Sequence, residues 1–328
     1  MKALALFSGG LDSMIAMKLI TSQGINVTAL NMNIGFGGTK DMSATFRARA
    51  KMVGADFEVV DVRQRYIDEI LFAPKHGYGK RFNPCIDCHG FMFKVAKELL
   101  SVHDANFIIT GEVVGQRPMS QNKNALNSVL GLAGDADNII LRPMSAKLLP
   151  LTKPELECWV DREKLLDIQG RDRKRQLSLA AEFGFSEYQN PGGGCLLTDI
   201  NFSQKVKEFV KYQPLHVNDI ALLKVGKHFR LEGGAKFIFG RDEAENSTIE
   251  NIKHDDFVDV SLGEDLPAPS GKISKNATKS DKELACKIFL AHTKLDKNRP
   301  HEVKVGDEII SEISLKDKNE AKIFAIGI

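Results

Sequence analysis

Two sets of residues in this chain have types and spacings that can do chemistry: the run Ser8-Gly9-Gly10-Leu11-Asp12-Ser13, and three cysteines, Cys85, Cys88 and Cys195. In the first, glycines at 9 and 10 remove the Cβ atoms that would hold an anion away from the backbone. Apolar residues at Leu11, Met14, Ile15, Leu19 and Ile20 begin a helix at the same place, and its first N–H groups have no intrahelical acceptor. The combination reads as a phosphate cradle. No lysine follows the glycines as a GxxxxGKS/T loop requires, and the second glycine lacks the xxG of a dinucleotide fingerprint. In the second set, Cys85 and Cys88 stand at a helix entrance, where two thiols can share a metal or form a redox pair and where the helix N-terminus lowers a thiol pKa. Cys195 follows Gly192, Gly193 and Gly194, which let it approach another surface closely. Three thiols suit a [4Fe–4S] cluster with one position open to an external sulfur, persulfide chemistry on one thiolate with a partner, or a zinc site closed by His89 or another donor.

These residues need elements to hold them. Apolar runs at Ala3 to Phe7, Val27 to Met32, Phe57 to Val62, Phe107 to Thr110 and Ile139 to Leu141 read as strands, with helices between them at Leu11 to about Gly24, Ser43 to Val53, Tyr66 to Leu71, Phe91 to Leu100 and Ser120 to Leu130. Such alternation predicts an α/β fold with a doubly wound, mostly parallel sheet, whose ligands sit outside the carboxyl ends of the strands. Asn31, Met32 and Asn33, at the end of the second strand, are then the candidate adenine edge. Gly35 to Gly38 reads as a loop that closes over a nucleotide or as plain surface. Gly111 and Glu112 arrive at the same edge, and Gln116, Arg117, Ser120 and Gln121 contact an α-phosphate or the target base, or cap the following helix. Arg142 and Lys147 are candidate partners for a leaving pyrophosphate. Residues 150 to 185 read as helical and polar, and Arg171, Arg173, Lys174 and Arg175 within them are the candidate track for an RNA backbone.

The character changes past residue 199. Short alternating segments at Ala221 to Val225, His228 to Leu231, Ala235 to Phe239, Phe257 to Val260 and His301 to Val305, with helices at Asp242 to Lys253 and Ser280 to His292, predict a smaller C-terminal α+β domain over residues 200–328 behind a catalytic domain over residues 1–199. Phe202 to Val210 is expected to dock the second domain on the first. Lys224, Lys227, His228, Arg230, Lys236 and Arg241 form a basic hairpin region that reads as a solvated edge or an RNA contact.

The formal net charge of +2 over 328 residues excludes a generally basic surface, so nucleic-acid contact must come from local patches. Five scattered cysteines are an odd number and a poor disulfide framework. The N-terminal apolar run reads as a core strand and not as a signal peptide, and no apolar run reaches the roughly 18 residues of a membrane span; a cytoplasmic protein without membrane contact is expected.

The loop resembles the SGGxDS motif of the PP-loop ATP pyrophosphatases. That resemblance implies binding of ATP phosphates by Ser8, Gly9, Gly10, Leu11 and Ser13, with Asp12 placing Mg²⁺. Asn83-Pro84-Cys85-Ile86-Asp87-Cys88-His89 resembles the segment around the catalytic cysteine of tRNA 2-thiouridine synthetases, Cys88 falling on that cysteine and Cys195 on the persulfide-bearing one. Thr110-Gly111-Glu112-Val113-Val114-Gly115-Gln116 with Ser120-Gln121 resembles the pyrophosphatase domain of tRNA 4-thiouridine synthetases. The additional Cys85 moves the pattern toward thiolating enzymes that use a cluster held by three cysteines. What the resemblance implies is an ATP-dependent tRNA sulfurtransferase that adenylates a uridine carbonyl and replaces its oxygen with sulfur. Its cofactors would be ATP, Mg²⁺ and a [4Fe–4S] cluster in the cluster variant; its partners would be tRNA and a hydrosulfide or persulfide donor, with a homodimer compatible. The C-terminal domain resembles RNA-binding domains attached to other RNA-associated proteins. Other readings are an ATP-dependent amidating enzyme with structural zinc and a non-catalytic RNA-binding or redox-sensing protein.

Overall fold

The computed structural model describes residues 1–188, 194–263 and 268–327, and the chain divides into two compact units, Met1–Cys195 and Leu196–Ile328. The first unit is built on a five-stranded parallel sheet of order β3-β2-β1-β4-β5: β1 is Lys2–Leu6, β2 Asn26–Asn33, β3 Asp56–Asp61, β4 Phe107–Thr110 and β5 Ile140–Leu141. Ala3, Leu4 and Ala5 are buried on alternating faces of the central strand, the mark of a sheet covered on both sides. Helices α1 (Leu11–Thr21), α2 (Ser43–Met52), α3 (Arg63–Tyr66), α4 (Cys85–Glu98), α5 (Lys123–Ala133), α6 (Lys153–Leu156) and α7 (Lys174–Glu182) follow in chain order, and a π-helical turn at Ile67–Leu71 continues α3.

Chain order runs outward from β1 through β2 to β3, then returns to the other side of β1 with β4 and β5. The switch point therefore lies at the carboxyl ends of β1 and β4, where the open sheet leaves a crevice for ligands. The doubly wound parallel sheet expected from the sequence is present.

Two expectations fail in this unit. The fourth helix begins at Cys85 rather than at Phe91, because Pro84 serves as its N-cap and fixes the entry, so Cys85 and Cys88 are helical residues. Residues 150 to 185 are helical only in α6, α7 and a 3₁₀ turn at Arg162–Lys164. Between α6 and α7, Gln169 forms an isolated parallel bridge with Val114.

The second unit starts with α8 (Ile200–Phe209) and α9 (Val217–Leu223) and continues through β6 (Lys227–Arg230), β7 (Lys236–Phe239), α10 (Glu243–Asn251), β8 (Phe257–Ser261), β9 (Gly271–Ser274), α11 (Lys279–Leu290), β10 (Pro300–Val305), β11 (Glu308–Ile313) and β12 (Ala325–Ile326). Its seven strands form an antiparallel sheet of order β11-β10-β8-β9-β7-β6-β12. Phe229, Phe237, Phe239 and Phe289 are buried together under α11, with ring centroids 5.4 to 6.4 Å apart. The smaller α+β module is thus present as a separate unit. The expected strand at Ala221 to Val225 is instead the end of α9, whose Asp219 accepts from the His216 N–H and closes a capping box. Helix α8 packs on α9, β12 and the turn at Leu196–Thr198 within its own unit.

Candidate active site

The Ser8–Ser13 loop is braced from behind. β1 ends at Leu6, and Asn31 Nδ2 donates to the Phe7 carbonyl at 2.9 Å, tying β2 to the start of the loop. Gly9 adopts φ +74°, and a Cβ there would overlap the ring of Phe46 on α2. Arg49, also on α2, is buried and donates from Nη1 to the Gly9 carbonyl at 2.9 Å. Gly10 is the N-cap of α1 and offers no side-chain cap, so the first-turn N–H groups of Leu11, Asp12 and Ser13 face the loop as at other anion-binding helix termini. Leu11 itself is core, and the Ser13 hydroxyl donates to the Gly10 carbonyl at 2.7 Å. Gly111 leaves β4 directly against this helix end: a Cβ at that position would lie 2.6 Å from the Asp12 carbonyl carbon and the Ser13 Cα. Only glycine allows that approach.

Asp12 is the centre of a polar network. Its Oδ2 accepts from Gln116 Nε2 at 2.7 Å, and its Oδ1 lies 3.5 Å from Arg173 Nη2 at the start of α7. Gln176 donates to Gln116 Oε1 at 3.2 Å. Ser120 and Gln121 are buried where the loop folds back, with the Gly115 N–H donating to the Gln121 carbonyl at 2.7 Å, and Asn122 rather than either of them caps α5. Asn31, Met32 and Asn33 are half-buried at the end of β2. Pairing with β1 stops at Leu30 while pairing with β3 runs on to Asn33, which leaves this stretch at the crevice side of the sheet.

Cys85 and Cys88 are three apart on one face of the first turn of α4. Cys85 accepts from Asn83 Nδ2 at 3.1 Å. Cys88 is buried and hydrogen-bonded to the Tyr66 hydroxyl. Burial pushes the Cys88 thiol up, the neighbouring Cys195 and Cys85 push it the same way, and the Tyr66 hydrogen bond only partly opposes them. The expectation that the helix N-terminus lowers its pKa is therefore wrong for Cys88: desolvation outweighs the dipole. Burial likewise raises the Tyr66 hydroxyl, with Cys88, Cys195 and Cys85 acting in the same direction. Tyr66 is thus a buried phenol hydrogen-bonded to Cys88 and raised by all three cysteines. The residues Gln189 to Gly193 leading to Cys195 lie outside the described residues. Among the described residues, no three or more His, Cys, Asp or Glu side chains are grouped as they would need to be to hold a metal ion. No ligand set for the expected cluster or for a closed zinc site is thus grouped among the described residues.

His89 pairs with Glu112, its Nδ1 2.8 Å from Glu112 Oε1, while Arg142 Nε donates to Glu112 Oε2 at 2.9 Å. Burial would raise the Glu112 carboxyl, yet Arg142 and His89 outweigh it and hold the group below its ordinary value. Arg142 is thus committed to Glu112, and Lys147 pairs with Glu163 at 3.1 Å rather than facing the loop. Phe36, in the loop expected to be mobile or superficial, is fully buried against Tyr66 at 5.9 Å, and Phe91 packs on Tyr66 at 6.0 Å. Tyr66, Phe36, Arg49 and Gln176 had no motif to announce them; the only signal was an apolar or polar residue falling next to a motif in space.

The proposed RNA track divides. Arg171 and Lys174 are exposed, Arg175 pairs with Asp167 at 2.7 Å, and Arg173 points at Asp12. In the second unit the basic hairpin is largely internal: His228 and Lys236 are buried, Glu208 accepts from both Arg230 and Lys236 at 2.5 Å, and Arg241 pairs with Glu245.

A parallel nucleotide-type sheet with an SGGxDS loop at its switch point, joined to a separate antiparallel domain, defines a class, and comparison with known proteins agrees with it. Residues 2–80 match the family model of the arginosuccinate synthase N-terminal HUP domain, and residues 226–323 match that of the NFACT protein RNA binding domain. The chain is similar to PP-loop enzymes of the tRNA-thiolating kind. It is 28% identical over 171 residues, 46% of this chain and 39% of the relative, to a tRNA-specific 2-thiouridylase MnmA of Bradyrhizobium sp.. It is 25% identical over 224 residues, 62% of this chain and 57% of the relative, to a tRNA-specific 2-thiouridylase MnmA of Clostridioides difficile. The chain thus spans about half the length of the curated relatives it matches. Among solved structures, a 4-thiouridine synthetase–RNA complex with bound ATP aligns over 68% of this chain and 52% of that one, at 18% identity and a TM-score of 0.42. Among the described residues no helix is long and apolar enough to cross a membrane.

Proposed function

We propose that this chain is an ATP-dependent tRNA sulfurtransferase that activates a uridine carbonyl as an adenylate and replaces its oxygen with sulfur. The observation that carries the reading is the end of β4: Gly111 packs on Asp12 and Ser13 of the phosphate loop, and the next residue, Glu112, holds His89, the neighbour of Cys88. Nucleotide loop and cysteine helix are therefore both anchored on the end of β4, which supports reading them as parts of one site.

In this reading ATP lies with its phosphates on Ser8 to Ser13 and its adenine along Asn31 to Asn33. Gln116 positions Asp12, the residue whose carboxylate suits Mg²⁺. Bound magnesium would neutralise the charge of the departing pyrophosphate. The uridine oxygen attacks the α-phosphorus and pyrophosphate leaves. A persulfide on Cys195 then attacks the adenylated carbon through its terminal sulfur, and AMP departs. Cys88, after losing its proton, attacks Cys195 Sγ, which frees the thiocarbonyl and leaves a Cys88–Cys195 disulfide for an external dithiol to reduce. Arg171, Lys174 and Arg175, with the second unit, supply RNA backbone contact. No step is routed through a cluster, since the described side chains do not form a ligand set for one.

The test is anaerobic incubation of the protein with unmodified tRNA, ATP, Mg²⁺ and a persulfide donor, followed by nucleoside mass spectrometry. Thiolated uridine formed with AMP and pyrophosphate, and lost in Asp12→Ala and Cys195→Ala, is the expected result. Nitrogen in place of sulfur at the modified carbon, or no RNA-dependent AMP, would overturn it.

A further inference from the structure

The network on Asp12 has more hydrogen-bonding capacity than it uses. Arg173 reaches Asp12 only at 3.5 Å, and its Nε is buried without a partner. Gln176, one turn along α7, is fully buried; it donates to Gln116, and its own Oε1 has no partner. A buried polar group without a partner is destabilising, so two of them three residues apart mark a place that a ligand completes. Their chemistry says which ligand. A guanidinium donor suits phosphate oxygens, and an amide acceptor suits the waters around a hydrated divalent cation. Both come from α7, which carries no part of the SGGxDS loop.

We propose that Arg173 and Gln176 form a second wall of the phosphate site, and that Arg173 exchanges partners on nucleotide binding. Without nucleotide, Arg173 neutralises Asp12. When magnesium pyrophosphate or the magnesium-bound tail of ATP binds, Asp12 would hold the cation, and the guanidinium of Arg173, released from Asp12, transfers to the phosphate oxygens. Gln176 holds Gln116 against Asp12 throughout and faces the hydrated cation. The proposal rests on the reading of Ser8 to Ser13 as a nucleotide loop, and it moves Arg173 out of the RNA track.

Calorimetric titration of the full chain with inorganic pyrophosphate and with ATP tests it. With Mg²⁺, R173A should weaken pyrophosphate binding about 10- to 100-fold, the scale of one charge-assisted hydrogen bond, and R173K should lose less because charge remains without the fork. With Mg²⁺ chelated, D12N should bind pyrophosphate more tightly than wild type, and much of that gain should vanish in D12N/R173A. Wild-type affinity in R173A, or a D12N gain of equal size with and without Arg173, would overturn the role of Arg173. A wild-type protein that binds neither ATP nor pyrophosphate would overturn the nucleotide reading instead. If R173A proves unstable, R173K and D12N carry the test, and unchanged binding in R173K with an undiminished D12N gain overturns the proposal.

Discussion

Replacing Glu112 by glutamine removes one charge from a buried trio and keeps its volume. Glu112 is 4% exposed, Arg142 is also 4% exposed, and their contact is 2.9 Å, so the guanidinium would be left as an uncompensated buried cation. Breaking a buried pair from one side costs about 3–5 kcal/mol, and an amide that still hydrogen-bonds recovers part of it, so a loss of about 3 kcal/mol is expected for E112Q. Trp159 is the only tryptophan in the chain and packs on Phe107 at 6.2 Å, so its fluorescence during denaturant unfolding reports the first unit selectively. E112Q/R142M, with no buried charge left between the two positions, should regain much of the loss. The sign with pH follows from the depressed carboxyl: the stabilisation is complete above the unfolded pKa of a glutamate and is lost as pH falls through the lower folded value. An E112Q variant within about 0.5 kcal/mol of wild type, the scatter of ordinary surface substitutions, would refute the assignment of Glu112 as the ionised strut between strand end and cysteine helix.

Cys88 should be slow to alkylate near neutral pH, and its rate should still be rising above pH 9, whereas exposed Cys158 labels early; peptide mass spectrometry of iodoacetamide-treated protein separates them, and early labelling of Cys88 would contradict its burial. Lys236 in the second unit is held down to about 8 by burial, so between that value and the lysine value of the unfolded chain its contribution makes this unit more stable as pH rises; K236M should flatten that part of a thermal-melt profile. A chain ending at Cys195 should keep its ATP affinity and lose RNA affinity together with much of its salt dependence; retained RNA affinity would give the second unit another task.

The parallel sheet was legible because Ala3 to Phe7, Val27 to Met32 and Phe107 to Thr110 are short, largely apolar runs followed within two residues by glycine or asparagine, as strands buried on both faces are. Asp12 and Gln116 were legible for a different reason: each lies in the segment that follows a strand, β1 or β4, whose carboxyl ends topology brings to one edge, and they meet at 2.7 Å. Arg173 was not legible. It lies in a run of basic residues that reads as surface, and only the packing of α7 on α1 turns that one side chain inward. The Cys88 pKa was misread because helix position is visible in the sequence while burial beside Tyr66 depends on a residue 22 positions earlier in the chain. In the second unit the basic hairpin reads in sequence as a solvated edge or an RNA contact, because Glu208, which pairs with Arg230 and Lys236, lies on a preceding helix.

The central claim is that one crevice both activates a tRNA uridine with ATP and delivers sulfur to it. Single-turnover incubation of the full chain with unmodified tRNA, [α-³²P]ATP and a ³⁵S-labelled persulfide donor tests both halves at once. The account predicts that AMP release and ³⁵S incorporation into a uridine base appear in equal amounts, that Cys195→Ala retains adenylation and loses the label, and that the protein carries no stoichiometric iron. Label transfer that requires about four irons per chain would contradict the cysteine route, and AMP release without ³⁵S in the RNA of the wild-type protein would contradict the sulfurtransferase account itself.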